Sequence, residues 1–376
     1  MSSLFSPLTY LTQAPKLAPK LSSYCDPQKG KDNNFNLLRF IAAFAVLFGH
    51  CYALLGRPEP LGSTLGMSIG SIAVDIFFVS SGFLVGASLI QRQSVIDYLL
   101  ARFLRIFPAL WVMLLLVVLV LGAALSTFAL SEYYQDPQTY RHIAKSASLV
   151  TGINFHLPGL FHDNPYPSVV NGSLWTMIYE LSMYGLLLLI WVSYHSLAKY
   201  FSRGLALCLT LLLGYFAYRT LAFRYILDAR QFMHLALMFF SGTLYYLARH
   251  YIPLKAVVAF IMAFALALCA ILDKSIFSVV YIVSLPYLVF SIAYLPSGTV
   301  RLFNRGGDYS YGVYIYAFPL QQAVVALIPG IEVDRLFVIS SAITLFCAVL
   351  SWHLLEKPVM ARRGKLFDFI KANLAR

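Results

Sequence analysis

Long apolar runs recur along this chain from about residue 35 to residue 354, and that recurrence limits its fold more than any other feature. Runs of about 18 or more residues are long enough to cross a hydrocarbon core of roughly 30 Å as a helix. The approximate spans are 35–55, 66–90, 106–128, 171–194, 203–218, 231–248, 254–272, 275–294, 309–328 and 336–354. Lipid offers no partner to a free backbone N–H or C=O, so each run must close its hydrogen bonds internally. The strict alternation of membrane β-barrel strands is absent. Composition agrees, with 60% hydrophobic and 12% charged residues, where a soluble domain carries roughly 25% charged. The expected fold is all-α: a polytopic integral membrane bundle of about ten transmembrane helices.

Basic residues set the expected orientation. With the N-terminus in the cytoplasm, Lys16, Lys20, Lys29, Lys31, Arg92, Arg102, Arg105, Lys199, Arg203, Arg249, Lys255, Arg301 and Arg305 fall inside, with the C-terminal cluster from Lys357 onward. The opposite loops hold far fewer, so the positive-inside rule puts both termini in the cytoplasm. The net charge of +12 is then mainly a topological signal and no argument for nucleic-acid binding. The division that follows is a cytoplasmic N-terminal tail at 1–32, a transmembrane domain at 33–360 and a cytoplasmic C-terminal tail at 361–376. Residues 1–30 lack the compact apolar segment and cleavage site of a signal peptide. Cys25, Cys51, Cys208, Cys269 and Cys347 show neither CxxC spacing nor an even count, so neither a disulfide framework nor a metal site is expected.

Two connections stand out. The segment from Ala129 to Val170, outside in this topology, is long and polar, with Asp136, His142, His156, His162 and Asp163; loops of that kind often bind ligands, and this one is a candidate acceptor surface. On the inside, QRQSVIDYLLARFLR, Gln91 to Arg105, has helical periodicity and either lies at the interface or extends the third span.

An ionised side chain at the bilayer centre costs roughly 2.5 to 3.5 kcal/mol on insertion scales, so intramembrane ionisable residues point to function. NFNLLRFIAAFAVLFGHCYALL, Asn34 to Leu55, carries Arg39 and His50. Their spacing puts both on one helix face, about 16 Å apart along the axis. Arg39 stands where a long side chain either snorkels to the headgroups or lines a polar path. His50 either hydrogen-bonds a neighbour or acts as a base. Asp75, in SIGSIAVDIFFVSSGFLVG, and Glu180, in NGSLWTMIYELSMYGLLL, fall at overlapping depth. Either carboxylate, bonded to one imidazole nitrogen, would fix the tautomer and free the other nitrogen for proton transfer.

Other residues have plainer expectations. Ser80, Ser81, Gly82 and Gly86 suit close helix approach, and Asn171 and Ser173 read as helix N-caps. His234 falls near an outer membrane edge, and Glu356 stands where an inside Arg can pair with it. Arg102 and Arg105 are three apart on one helix face. Inner loops are basic in any case, but two guanidinium forks there also suit a phosphate.

Five blocks in order resemble the acyltransferase 3 family, membrane-bound acyltransferases that modify cell-envelope glycans and other extracytoplasmic acceptors. Arg39 and His50 resemble its first-helix motif of Arg, ten residues, His. VDIFFVSSGFLVG, ARFLRIFPAL, SLWTMIYE and GDYSYGVYIYAFP are similar to its second-helix signature, its Arg-x-x-Arg block, its Trp and Glu block and its late aromatic helix. The resemblance covers about residues 33 to 360.

What the resemblance implies is transfer of an acyl group, most often acetyl, from cytoplasmic acyl-CoA to a hydroxyl of a glycan or lipid-linked saccharide on the far side of a bacterial inner membrane. His50 would be catalytic, supported by Arg39, Asp75 and Glu180, and Arg102 and Arg105 would hold the coenzyme A phosphates. Arg39 and His50 would then line one path, near its mouth and at its reactive end. No bound cofactor or metal is expected; acetyl-CoA is the donor substrate. A covalent acyl-histidine relay is a variant of the same scheme. The chain departs from many members at Ala317, where they carry a His. Without the SGNH-type esterase domain of some relatives, it is expected to acylate its acceptor directly or to pass the group on. The rival reading is a proton-coupled transporter with a buried His, Asp and Glu relay, although the hydropathy symmetry of that class is not evident.

Overall fold

The computed structural model describes residues 19–25, 32–224 and 228–374. Among them there is no β-strand, only an isolated bridge between Lys20 and Pro253. Helices occupy all ten apolar stretches: α1 (Phe35–Leu54), α2 (Ile69–Arg92), α3 (Val95–Leu116), α4 (Trp175–Leu197), α5 (Arg203–Arg224), α6 (Ala229–Leu247), α7 (Ala256–Leu272), α8 (Lys274–Tyr294), α9 (Ser310–Leu327) and α10 (Val333–Ser351). Six helical stretches among the described residues are both long and apolar enough to cross a membrane: Phe35–Leu54, Ile69–Arg92, Val95–Leu125, Gly172–Leu197, Lys274–Tyr294 and Val333–Leu374.

Local chemistry explains where several helices begin. Asn33 Oδ1 accepts from Phe35 N at 3.1 Å, while Asn34 Nδ2 donates to Ile292 O and Pro296 O at 3.3 and 2.9 Å, tying the start of α1 to the end of α8. Ser68 caps α2 by accepting from Ser71 N at 3.1 Å. Ser94 caps α3 by accepting from Asp97 N at 3.3 Å, so the basic connection is helical and extends the third span rather than lying apart from it. Asp228 and Asp273 cap α6 and α8. Asn171 and Ser173 do not cap: Asn171 Nδ2 reaches Met113 Sδ at 3.1 Å, and Ser173 Oγ donates to Tyr314 O at 3.2 Å. The chain enters α4 through a short 3-10 turn, Gly172–Leu174, which points both side chains into the core instead.

The late aromatic helix α9 is the centre of the bundle. It is buried on almost every side, as a helix apolar all round must be. Its Gln321 Nε2 donates to Leu47 O of α1 at 2.8 Å. By contrast α7 buries none of its side chains and leaves Val257, Phe260 and Phe264 on the outside, a surface that suits lipid.

Helices α2 and α6 pack most closely, and glycine makes this possible. A Cβ on Gly82 would come 1.8 Å from Phe239 O, and one on Gly242 would come 2.1 Å from Val79 O. Thr243 Oγ1 seals the contact by donating to Gly82 O at 2.9 Å. Contacts of Asp75 with His234, Gly86 with Thr243 and Gln91 with Tyr246 ascend both helices together, so the pair runs parallel.

Part of the N-terminal tail belongs to the packed structure. Leu21 N donates to Ile252 O at 2.9 Å and Leu254 N to Pro19 O at 3.1 Å, and Leu21 is fully buried. Most of the remaining tail expected from the sequence, 1–18 and 26–31, lies outside the described residues.

Candidate active site

Two cavities open toward opposite ends of the bundle and share a wall. The first, of about 280 Å³, is lined by Arg39, Ser81, Arg102, Arg105, Glu180, Tyr184, Ser310, Tyr311 and Arg363 among others. The second, of about 500 Å³, is lined by His50, Glu59, Asp75, Trp175, Gln231, His234, Ser278 and Tyr281 among others. Val74 of α2 and Tyr314 of α9 line both. Tyr314 is fixed there: its hydroxyl donates to Ser173 O at 2.9 Å and meets Thr176 Oγ1. Arg39 and His50 thus face different cavities of one continuous wall.

At the cationic end, charges are not equivalent. Arg105 forks between two carboxylates, with Nη2 to Asp308 Oδ2 at 2.6 Å and Nη1 to Glu356 Oε2 at 3.0 Å. Arg39 Nη1 joins the same Asp308 oxygen at 3.3 Å. Ser351 Oγ donates to Glu356 Oε1 at 2.9 Å, and the arginine that pairs with Glu356 is Arg105. Burial alone would raise the Asp308 carboxyl, but the charges of Arg105 and Arg39, with a hydrogen bond from Ser310, outweigh it and hold it down at about 2. Arg363 adds Nε to Asp97 Oδ1 at 2.7 Å. Arg102 stands apart: among the described residues no carboxylate lies within ion-pair range of it, its Nε is buried without a partner, and its guanidinium rests over the Tyr184 ring, 5.7 Å from the centroid. The two arginines of the sequence motif therefore share a cavity but differ in commitment.

Of the three groups that sequence depth suggested would meet, His50 and Asp75 line one cavity without a hydrogen bond between them, and Glu180 lines the other. Asp75 is bound elsewhere: His234 Nε2 donates to its Oδ1 and Oδ2 at 2.8 and 2.9 Å, and the Tyr281 hydroxyl donates to Oδ2 at 2.9 Å. Glu180 lines the cationic cavity and accepts from the Tyr184 hydroxyl, with Ser81 Oγ at 3.5 Å. Neither carboxylate orients His50. Its Nδ1 is buried without a partner among the described residues, and its ring meets Phe318 edge-on at 5.2 Å. The reason is angular: equal depth does not give equal facing, and the α2–α6 packing turns Asp75 toward α6.

Sequence reasoning missed Asp308, Arg363 and the role of His234. Asp308 had a signal, as an Asp two residues before the Ser that opens an apolar run. Arg363 lay beyond the expected domain edge, and His234 was placed at an outer edge without a partner. The long segment 129–170 begins with two helices, Leu130–Gln135 and Pro137–Ser146. Gln322 of α9 pins it, donating to Tyr166 O and Val169 O at 2.8 Å each and accepting from Asn164 Nδ2 at 2.7 Å. Tyr166 reaches Phe318 at 6.1 Å, so aromatic contacts run from the segment to His50. Among the described residues no three His, Cys, Asp or Glu converge on a metal position.

Comparison with known proteins identifies the family. A family described as an acyltransferase domain matches residues 32–353. An O-acetyl transferase of Shigella phage Sf6 is 33% identical over 88% of this chain and 97% of its own length. Nodulation protein 10 of Rhizobium leguminosarum bv. viciae is 29% identical over 90% of this chain and 95% of its own length. No solved structure matches. The transporter reading gives way to these matches: the chain belongs to the acyltransferase 3 family, as a multi-pass membrane enzyme of the O-acetyltransferase kind.

Proposed function

We propose that this enzyme moves an acetyl group from cytoplasmic acetyl-CoA to a hydroxyl of an extracytoplasmic glycan or lipid-linked saccharide, in a bacterial inner membrane. About ten helices cross the bilayer in this reading, and both termini lie in the cytoplasm. The observation that carries it is the pair of cavities with one shared wall, cationic on one side and holding His50 on the other. The phage relative's name supports acetyl as the group and oxygen as the accepting atom.

In this reaction Arg102, free of carboxylates among the described residues, takes the coenzyme A phosphates together with Arg39, while Arg105 holds the mouth in shape. The pantetheine arm extends past Glu180 to Val74 and Tyr314. His50 removes the proton from the acceptor hydroxyl as that oxygen attacks the thioester carbonyl. The C–S bond then breaks, and the departing thiolate takes the proton from the imidazolium, so the products are an ester and free coenzyme A. Asp75 and Glu180 act as positioning residues, the first through His234 and Tyr281, the second through Tyr184.

The test is mass spectrometry of envelope polysaccharides from cells with wild type, His50→Ala or no protein, paired with thiol release from acetyl-CoA by purified enzyme. An acetyl increment that disappears with His50→Ala, at equal protein in the membrane, is expected. Undiminished transfer by His50→Ala would remove His50 from the chemistry.

A further inference from the structure

Glu59 has no place in the scheme above, yet it lines the same cavity as His50. It stands in the connection between α1 and α2, in the sequence RPEPLG, Arg57 to Gly62. That connection is tied on both sides of it. Arg57 Nη2 pairs with Glu332 Oε2 at 2.6 Å, and Pro60 O accepts from Ile69 N at 3.1 Å. Pro58 and Pro60 each fix one backbone angle, so the side chain leaves a restrained backbone.

Two glycines make room for the carboxylate. A Cβ on Gly49, the residue before His50, would lie 2.9 Å from Glu59 Oε2, and one on Gly70 would lie 3.2 Å from it. The oxygen therefore lies against bare backbone of α1 and α2, one residue from His50 in the chain. There Oε2 is buried and has no hydrogen-bond partner among the described residues. A buried carboxylate oxygen without a donor is costly, and His50 Nδ1 in the same cavity wall is also without one. Among the described residues no Lys or Arg lines this cavity to neutralise Glu59. With Oε2 packed against backbone, the carboxylate has its other oxygen to offer a neutral donor in the cavity, and a sugar hydroxyl is such a donor. Trp175 and Tyr281 also line this cavity, and aromatic rings suit the C–H face of a sugar ring.

We infer that Glu59 is an acceptor-binding residue: its carboxylate accepts a hydrogen bond from one hydroxyl of a pyranose ring and thereby presents the adjacent hydroxyl of that ring to His50. The inference rests on the acyl-transfer reading of the site and adds to it the acceptor's class, a neutral sugar with adjacent free hydroxyls. Glu59 takes no part in the proton transfer itself.

The experiment uses the full chain in lipid nanodiscs, with acetyl-CoA and polysaccharide extracted from cells lacking the protein. Thiol release is followed as each substrate is varied. Glu59→Ala is expected to raise the KM for polysaccharide about tenfold or more, with the KM for acetyl-CoA within about twofold of wild type. Glu59→Gln keeps one accepting oxygen and should recover part of the loss. Gly70→Ala leaves the carboxylate in place chemically but displaces it, and should shift the same KM in the same direction. An unchanged polysaccharide KM in Glu59→Ala, with wild-type thiol release intact, overturns this inference alone. Absence of polysaccharide-dependent thiol release from wild type overturns the acyl-transfer reading and this inference with it.

Discussion

Asp75 is held by His234, not by His50: both carboxylate oxygens lie within 2.9 Å of His234 Nε2. Asp75 is almost fully buried, and its other contact is the Tyr281 hydroxyl at 2.9 Å. Removing the imidazole leaves a buried carboxylate short of a donor. His234→Ala is therefore expected to destabilise the folded protein by about 3 kcal/mol, read as a lower midpoint of thermal unfolding in detergent. Asp75→Asn in the same background should restore part of that stability, because the uncompensated charge is gone. Full additivity of the two changes would show that the pair does not interact.

Arg102 and Arg105 should fail in different ways. Arg105→Ala strands Glu356 and weakens the hold on Asp308, a loss of about 3 kcal/mol or more, and should lower the amount of folded protein recovered from membranes. Arg102→Ala breaks no ion pair among the described residues. It should leave the unfolding midpoint near wild type while raising the KM for acetyl-CoA about tenfold. Equal loss of folding in both variants would contradict the division of labour between them.

The contact between α2 and α6 should tolerate no side chain at its tightest point. Gly82→Ala sets a methyl group against Phe239 O, where the ideal Cβ would be 1.8 Å away, so the helices must part. A cost of about 1 to 3 kcal/mol is expected from such overpacking, with a loss of transfer activity as His234 moves off Asp75. Gly185→Ala, at a position where nothing stands within 4 Å, is the matched control and should be near neutral. Similar unfolding midpoints for the two variants would count against the close approach.

The segment 129–170 should loosen in mild acid. His142 is fully buried, and burial pushes its imidazole down to about 4. The unfolded chain titrates near 6.5, so between these values it binds a proton that the folded segment does not. Stability is thus complete above about 6.5 and falls as the pH drops toward 4, by up to about 1.4 kcal/mol per pH unit. Amide hydrogen exchange of residues 137–146, compared at pH 7.5 and 5 after correction for intrinsic rates, should show lower protection at pH 5. His142→Gln does not titrate in this range, and its difference in protection between the two pH values should be much smaller.

Helix positions were legible because length and apolarity alone decide what lipid accepts, and helices fill every apolar stretch read from the sequence. Residue partners were less so. The depth of Asp75 is readable from residue order, but its facing is not, because that depends on the parallel packing of α2 on α6 through Gly82 and Gly242. Arg102 and Arg105 look alike three residues apart; what distinguishes them is Asp308 and Glu356, more than two hundred residues downstream. Nothing in the spacing of residues singles out Glu59, whose orientation depends on two glycines from neighbouring helices.

The shared wall at Val74 and Tyr314 bears on how a cell keeps its ion gradients while exporting chemical groups. A continuous aqueous bore through the bundle would let protons leak with each turnover. With a buried tyrosine fastened at the waist, the donor's bulky nucleotide stays on its own side in the proposed reaction. Only two carbons and an oxygen change hands there, so export needs neither a carrier for coenzyme A nor an open gate.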